Sequence, residues 1–363
     1  MMDLISGLPE DIARECLIRV SYQQFPAVAS VCKEWKTEIA SPEFRRQRRS
    51  TGHSQNILIM VQARPEPEKS ETGSTKRIKN PVYFLSVFEP ETGTWTELPP
   101  LPGFESGLPM FCQLTGVGPD LVLIGGLDPM TWKASNSVFI YNFLTAKWRR
   151  GTHMPGQPRN FFACVSDSHG RVFVAGGHDN EKNALRSVLE YDVTSDLWVP
   201  LPDMATERDE CKAVFHHGKL NVVGGYSTEA QGQFGKSAEV FDFATWQWTL
   251  VDEFLDYATC PRTLVDNSDD DNDDDNVYIC REGELMVMED STWQKITTVP
   301  SEIRHVAHVG VFDGVVLVIG SSGYGEEHES LVFDVKSNTW KKLGSPEGFR
   351  GHVQTGFIAS LSS

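Results

Sequence analysis

A chain of 363 residues, 40% of them hydrophobic, is long enough for roughly two domains and can bury at least one large core. Its net charge of −17 argues against non-specific nucleic-acid binding, which depends on Lys and Arg neutralising phosphates. No stretch approaches the ~18 to 20 apolar residues of a membrane helix, and Asp3 and Pro9 stand where a signal sequence would be basic and then apolar. An intracellular protein without a membrane partner is expected, in the cytoplasm, the nucleus or both. The cysteines Cys16, Cys32, Cys112, Cys164, Cys211, Cys260 and Cys280 are odd in number, scattered and never spaced C-x-x-C, so a reducing compartment fits and no zinc site is indicated.

Residues 3–48 carry helical punctuation. Pro9 followed by Glu10 and Asp11 starts a helix, with Ile12, Cys16, Leu17 and Val20 along one face. Ser21 with Gln24 fits a capping box for a second helix. Val28, Val31, Cys32, Trp35 and Ile39 then form a stripe in a third helical stretch, and Ser41-Pro42 can cap the next turn. So short a segment cannot hide all these side chains in a core of its own, which points to a partner. The cluster Arg45, Arg46, Arg48 and Arg49 reads as positive charge at a helix end rather than a nuclear signal.

From residue 53 onward the pattern changes to a repeat. Tryptophans recur at Trp95, Trp148, Trp198, Trp248, Trp293 and Trp340, with gaps of 53, 50, 50, 45 and 47 residues. Glycine pairs keep step at Gly125-Gly126, Gly176-Gly177 and Gly224-Gly225, with a weaker copy at Gly320-Ser321. One unit reads FFACVSD, RVFVAGG, SVLEYD, LWVPLP, which is four short strands. Strands this short need radial stacking of sheets to cover their faces. The unit ending at Trp95 has only three strands, NILIMVQA and VYFLSVFE before the one that bears Trp95, and HVQTGFIAS at 352–360 has the character of the missing first strand. Six blades are therefore expected at 53–363, with repeats at about 103–150, 153–202, 203–251, 252–298 and 299–343 and a composite blade of 53–100 closed by 350–361. The segment ARPEPEKSETGSTKRIKNP reads as a surface loop. The run Asp269 to Asp275 reads as solvated, because Asp274 and Cys280 stand where a calcium loop needs Gly and Glu.

The order strand, Gly-Gly, Tyr-Asp or Phe-Asp (Tyr191-Asp192, Phe241-Asp242, Phe333-Asp334), then Trp, resembles the kelch repeat. The N-terminal LPEDIARECLIRV, VASVCKEW and SPEF resemble the F-box, departing from it at Phe25-Pro26, where a leucine-rich helix start is usual. The fold class implied is mainly β, a six-bladed kelch propeller preceded by a small all-α F-box module. The resemblance further implies the substrate-recognition subunit of a Skp-cullin-F-box ubiquitin ligase, not itself catalytic and without a cofactor. Leu8, Pro9, Ile12, Cys16, Leu17, Val20, Val31, Cys32 and Trp35 would then bind a Skp-type adaptor and, through it, a cullin scaffold. The motifs SYQQFPAVASVCKEW, GLDPMTW, RDECKAVFH and GGYSTEAQGQF are similar to those of plant F-box/kelch proteins, some of which send phenylalanine ammonia-lyase or cytokinin-response regulators to degradation. The likeness does not choose between those substrates.

No nucleophile elbow, P-loop, dinucleotide fingerprint or HExxH motif occurs, and His216-His217 reads as a hairpin tip. A propeller copper oxidase and a scaffold without ubiquitin transfer are the rival classes, the former lacking an evident His and Tyr grouping. Arginine recurs before the first strand of most units, at Arg159, Arg208, Arg262, Arg304 and Arg350, with Gly107-Leu108 in the corresponding place of the unit ending at Trp148. Such a ring either braces strands or binds a partner's carboxylate or phosphate. Arg159, Arg208, Arg304 and Arg350 are the candidate substrate-binding residues, and Arg262 is set aside because its unit is degenerate.

Overall fold

A computed structural model describes residues 4–65, 81–167, 170–267 and 276–361. The acidic run and most of the Pro- and charge-rich loop lie outside the described residues. Four α-helices come first: α1 (Glu10–Ile18), α2 (Phe25–Val31), α3 (Lys33–Ile39) and α4 (Pro42–Ser50). Helix α1 starts directly after Pro9. Ser21 makes no side-chain cap, and a 3-10 turn at Tyr22–Gln24 leads into α2, which has Pro26 in its first turn. The expected stripe from Val28 to Ile39 is not one helix, because Cys32 is extended (φ −158) and separates α2 from α3. Its sulfur accepts the Trp35 N–H at 3.4 Å. Ser41 does cap α4, accepting from the Phe44 N–H at 3.1 Å.

Six four-stranded antiparallel sheets follow. Blade I has the order Val353–Leu361, Gln55–Ala63, Tyr83–Glu89, Thr94–Glu97, so the two ends of the chain share a sheet, with Gln55 opposite Leu361 and Ile59 opposite Phe357. Blades II to VI begin with the inner strands Gln113–Val117, Ala163–Ser166, Lys212–His216, Val265–Asp266 and His305–Phe312. Each inner strand adjoins the next, and His305–Phe312 adjoins Val353–Leu361, which closes the ring.

The repeated tryptophans join blades. All but Trp293, which faces Met288, sit opposite an aromatic of the neighbouring strand, as in Tyr191 with Trp198 at 4.7 Å between centroids and Phe333 with Trp340 at 5.1 Å. The indole N–H donates to the blade before it: Trp148 to the Pro99 carbonyl at 2.9 Å, Trp198 to Thr152 at 2.8 Å, Trp248 to Pro202 at 2.8 Å, Trp293 to Phe254 at 2.7 Å. Trp95 closes the circle by donating to Gly344 at 2.9 Å. The same contact made around a ring requires the same residue at the same interval, hence the period of about fifty.

Gly176 and Gly177 show why the pairs are glycine. Both have positive φ (63° and 80°), and a Cβ on either would collide with a backbone carbonyl, that of Arg208 or Asn160. Blade V lacks a pair because its second and third strands are joined by a tight turn at Glu282 and Gly283 (φ 47° and 76°). His217 and Gly218 (φ 49° and 68°) form the tip of another two-residue hairpin.

The helices lie on the face that carries the hairpins between first and second strands, here the lower face. Tyr22 donates its N–H to Gln55 at 2.8 Å and its hydroxyl to Glu89 at 2.5 Å. Arg48, at the end of α4, is 1% exposed, lies 5.0 Å over the Phe25 ring, and donates to the carbonyls of Ile18, Val20 and His53. Burial lowers its pKa to about 10. It is an internal strut; of the cluster read as helix-end charge, only Arg48 and Arg49 stand in the last turn of α4. Leu17, Phe25, Ile39 and Phe44 share one continuous core with Ile57, Ile59, Leu121 and Tyr141 of blades I and II. Much of the apolar surface expected to need a partner is thus covered by the propeller itself.

Candidate functional site

The adaptor set divides into two. Leu17 is buried in the shared core, Val20 and Trp35 pack against it, and the Trp35 indole donates to the Leu4 carbonyl at 2.5 Å. Those residues seat the helices on the propeller, a correction for Leu17 above all, which is 2% exposed. Facing outward are Pro9, Ile12, Cys16 and Val31, with Leu8 and Cys32 half-buried. Ile12 is 48% exposed and Val31 60% exposed, whereas Leu17 and Ile18 of α1 and Phe25 and Val28 of α2 are buried.

The arginine ring dissolves on inspection. Arg208 donates to the Gly224 carbonyl at 2.8 Å, to Ser237 through both its carbonyl (3.1 Å) and hydroxyl (3.0 Å), and to Glu239 at 3.2 Å. Arg159 repeats the pattern on Gly176 and Ser187, but its Nε has no partner among the described residues because Leu189 stands where blade IV has Glu239. Both side chains are buried, and desolvation lowers the pKa of Arg159 to about 10. They brace the loop after each glycine pair and cannot meet a substrate. The register Met110 with Leu127, Asn160 with His178 and Asp209 with Tyr226 places Pro109, rather than Gly107-Leu108, at the blade II position. Arg304 is exposed, and Arg350 is exposed while donating to the Ser345 carbonyl at 2.9 Å and facing Glu327 at 3.4 Å.

What surrounds the upper mouth of the central channel is a set that sequence reasoning passed over. The residue two before the inner strand of blades II, III and IV is left-handed: Phe111 (φ 60°), Phe161 (φ 51°) and Glu210 (φ 51°). Such backbone costs about 1–3 kcal/mol per non-glycine residue and concentrates at functional sites. The Phe111 and Phe161 rings are 4.9 Å apart, and Phe161 stacks on His178 at 5.5 Å. His178 Nδ1 donates to Asp209 at 2.9 Å, and the Tyr226 hydroxyl donates to Glu210 at 2.8 Å. His178 and Tyr226 each follow a glycine pair directly, and Phe111, Phe161 and Glu210 recur at the repeat interval, so the period itself carried the signal.

The other half of the mouth, from blades V, VI and I, is rich in donors. Tyr83 and His352 Nδ1 are 3.2 Å apart, and the rings of His328 and His352 lie 4.9 Å apart. His328 Nδ1 accepts the Val353 N–H at 3.1 Å, so the proton of the neutral ring sits on Nε2. A metal would need the reverse, which argues against reading this Tyr and His grouping as a copper site. Burial, reinforced by His352 and Arg262, lowers the His328 pKa to about 4. Arg262, set aside from the sequence, is therefore part of the mouth, with one nitrogen donating to the Val306 carbonyl at 2.9 Å. Above this rim the loops present Met130 (77% exposed), Trp132 and Tyr324 (93% exposed).

A helical module seated on one face of a closed ring of Gly-Gly and Trp blades, with an aromatic and polar mouth open on the other, defines an F-box protein with a kelch propeller. The F-box domain model matches residues 5–47, and the Kelch motif model matches 111–155, 158–205 and 207–254. The F-box/kelch-repeat protein At1g80440 of Arabidopsis thaliana is 50% identical, covering 98% of this chain and 99% of that protein, and At1g15670 of the same plant is 49% identical over 99% and 100%. The chain belongs to the F-box/kelch-repeat family, which supports an adaptor role in Skp-cullin-F-box ubiquitination. The solved structure of YjhT shares the fold at TM-score 0.53 and 18% identity, covering 72% of this chain and 89% of that one. No described helix is long and apolar enough to cross a membrane.

Proposed function

We propose that this protein is the substrate-recognition subunit of a Skp-cullin-F-box ubiquitin ligase. The observation that carries the reading is the separation of faces: apolar side chains of α1 and α2 point away from the propeller below, and the open mouth lies above. Residues 3–48 serve adaptor docking and 53–363 serve target capture, in the cytoplasm, the nucleus or both. Leu8, Pro9, Ile12, Cys16, Val31 and Cys32 form the adaptor surface. Placing a carboxylate at an exposed apolar contact would bury an unpaired charge on binding without disturbing the free protein. Ile12→Asp with Val31→Asp is therefore expected to weaken capture of a Skp-type adaptor by more than about 100-fold while the thermal melt stays unchanged. Unaltered co-purification of the double variant would remove the ligase reading and favour a scaffold.

Phenylalanine ammonia-lyase is the proposed target and a cytokinin-response regulator the alternative, since the family likeness does not choose between them; Met130 and Trp132 of GLDPMTW stand at the upper rim, where either would dock. Trp132→Ala with Tyr324→Ala should abolish capture of purified phenylalanine ammonia-lyase and leave adaptor binding intact. Capture of a cytokinin-response regulator instead would transfer the reading to that substrate, and retention of the lyase by the double variant would move the docking surface elsewhere.

A further inference from the structure

Each blade ends on an outer strand whose free side points to solvent, and an unguarded edge of that kind is a template for another strand. All but one of these edges are guarded. Glu97, bridged by Arg64, stands on the outer strand of blade I, and Lys147, Arg149 and Arg150 on that of blade II. Lys295 stands on that of blade V, and Lys341 and Lys342 on that of blade VI. Blade III has no charge on Leu197–Leu201 but carries Pro200, which has no N–H to offer. Blade IV has neither device. Its outer strand is Gln247-Trp248-Thr249-Leu250-Val251, exposed throughout except for the half-buried Trp248.

The register fixes which groups this edge presents. Pro200 faces Leu189 across blade III as Leu250 faces Glu239 across blade IV. A proline is tolerated at an edge where its nitrogen points out of the sheet, so Leu250 and, two residues away, Trp248 direct their N–H and C=O to solvent. What completes such an edge is an extended strand that sets no charge against Leu250 and Val251. A second copy of the same strand meets that condition. Turned antiparallel about Thr249, it sets Trp248 of each copy opposite Leu250 of the other, each pair exchanging both main-chain bonds. Gln247 then faces Val251, and the two Thr249 side chains meet, a favourable cross-strand pair. No carboxylate meets another: Asp252, the first charge beyond the strand, comes level with Trp246, which is 51% exposed. The net charge of −17 is screened beyond about 8 Å at physiological salt.

We propose that the protein self-associates as a closed two-fold dimer, in which Gln247–Val251 of blade IV pairs antiparallel with the same strand of a second copy. Two blades then become one continuous sheet. Blade IV lies across the ring from blade I, and the helices share their core with blades I and II, so both adaptor faces and both mouths stay open in the dimer. An edge of 5 residues is smaller than the interface of a permanent dimer, so the association is micromolar and concentration-dependent.

Sedimentation velocity on the full-length chain, from about 1 to 100 μM, reads the association. Dimer should grow in with concentration and nothing larger should form, because the pairing consumes both edges. Added salt should strengthen it, since no ion pair holds it and the two copies repel. Leu250→Pro and Leu250→Lys give blade IV the residue that blade III or blade VI carries at the same register position, and each should weaken the dimer at least about tenfold with the thermal melt unchanged. Thr249→Lys and Thr249→Glu should each do the same by setting like charges face to face on the two-fold axis, and an equimolar mixture of those two variants should dimerise again. Thr96→Lys, at the matching position of blade I, should leave association unchanged. Should Leu250→Pro fold poorly, the Thr249 variants give the same comparison. A parent chain that stays monomeric throughout, a dimer that Thr249→Lys leaves intact, or a mixture that stays monomeric while the parent dimerises overturns the pairing.

Discussion

Deletion of residues 350–363 is expected to leave a chain that does not stay soluble. Val353–Leu361 is the inner strand of blade I, and its loss strips the partners from Gln55–Ala63 along their whole length. The Ile57-Leu58-Ile59-Met60-Val61 run, now buried on both faces, would become an open apolar edge of high strand propensity. The damage extends to neighbouring blades, because the Phe357 ring fills the space over Gly116 of blade II and Ile358 that over Gly310 of blade VI. The Ala63 N–H would also lose the His352 carbonyl at 2.8 Å. Soluble yield and the thermal melt of the truncated protein are the measurements. A truncated protein as soluble and heat-stable as the full chain would mean that the ring does not depend on this closure.

The sequence made the ring legible because its most repeated residues make its most repeated contacts. Each Trp joins one blade to the next, and each glycine pair turns where a side chain would strike a carbonyl, so both leave a period that can be counted. The arginines share that period, but a period says nothing about depth. Arg159 and Arg208 recur as regularly as Trp198 and Trp248 for a similar reason: each closes its own blade. The mouth residues were harder to see because a surface that selects a partner needs the repeated backbone position and not a repeated residue, as Phe111, Phe161 and Glu210 illustrate. In the helical module, amphipathic spacing announced that apolar faces needed cover. It could not say that the propeller covers Leu17 and Phe44 while Ile12 and Val31 remain outside. Nor could it foresee the break at Cys32, since one extended residue can end a stripe whose spacing continues across it.

Replacing Arg208 by alanine is expected to destabilise the protein by about 3–5 kcal/mol, the usual cost of removing one partner from a buried ion pair. Arg208 is 4% exposed and Glu239 1% exposed. After the substitution the Glu239 carboxylate would keep donors from Ala205 and Thr206 but lose its counter-charge at 3.2 Å, and the Gly224 and Ser237 carbonyls would lose a donor. Arg208→Lys should recover only part of the loss, because one ammonium cannot span the positions that the planar fork reaches. The chain itself suggests the compensating change: blade III works with Leu189 opposite Arg159, so Glu239→Leu in the Arg208→Met background should restore stability that Arg208→Met alone gives up. Arg304→Ala, at an exposed side chain, should stay within about 0.5 kcal/mol of the parent. Urea unfolding of the set, run beside target capture, separates the two roles an arginine can have here. Capture should fall for Arg208→Ala only as far as the folded fraction falls. A variant that keeps the parental unfolding midpoint and still loses its target would return Arg208 to the recognition surface, against the geometry that encloses it.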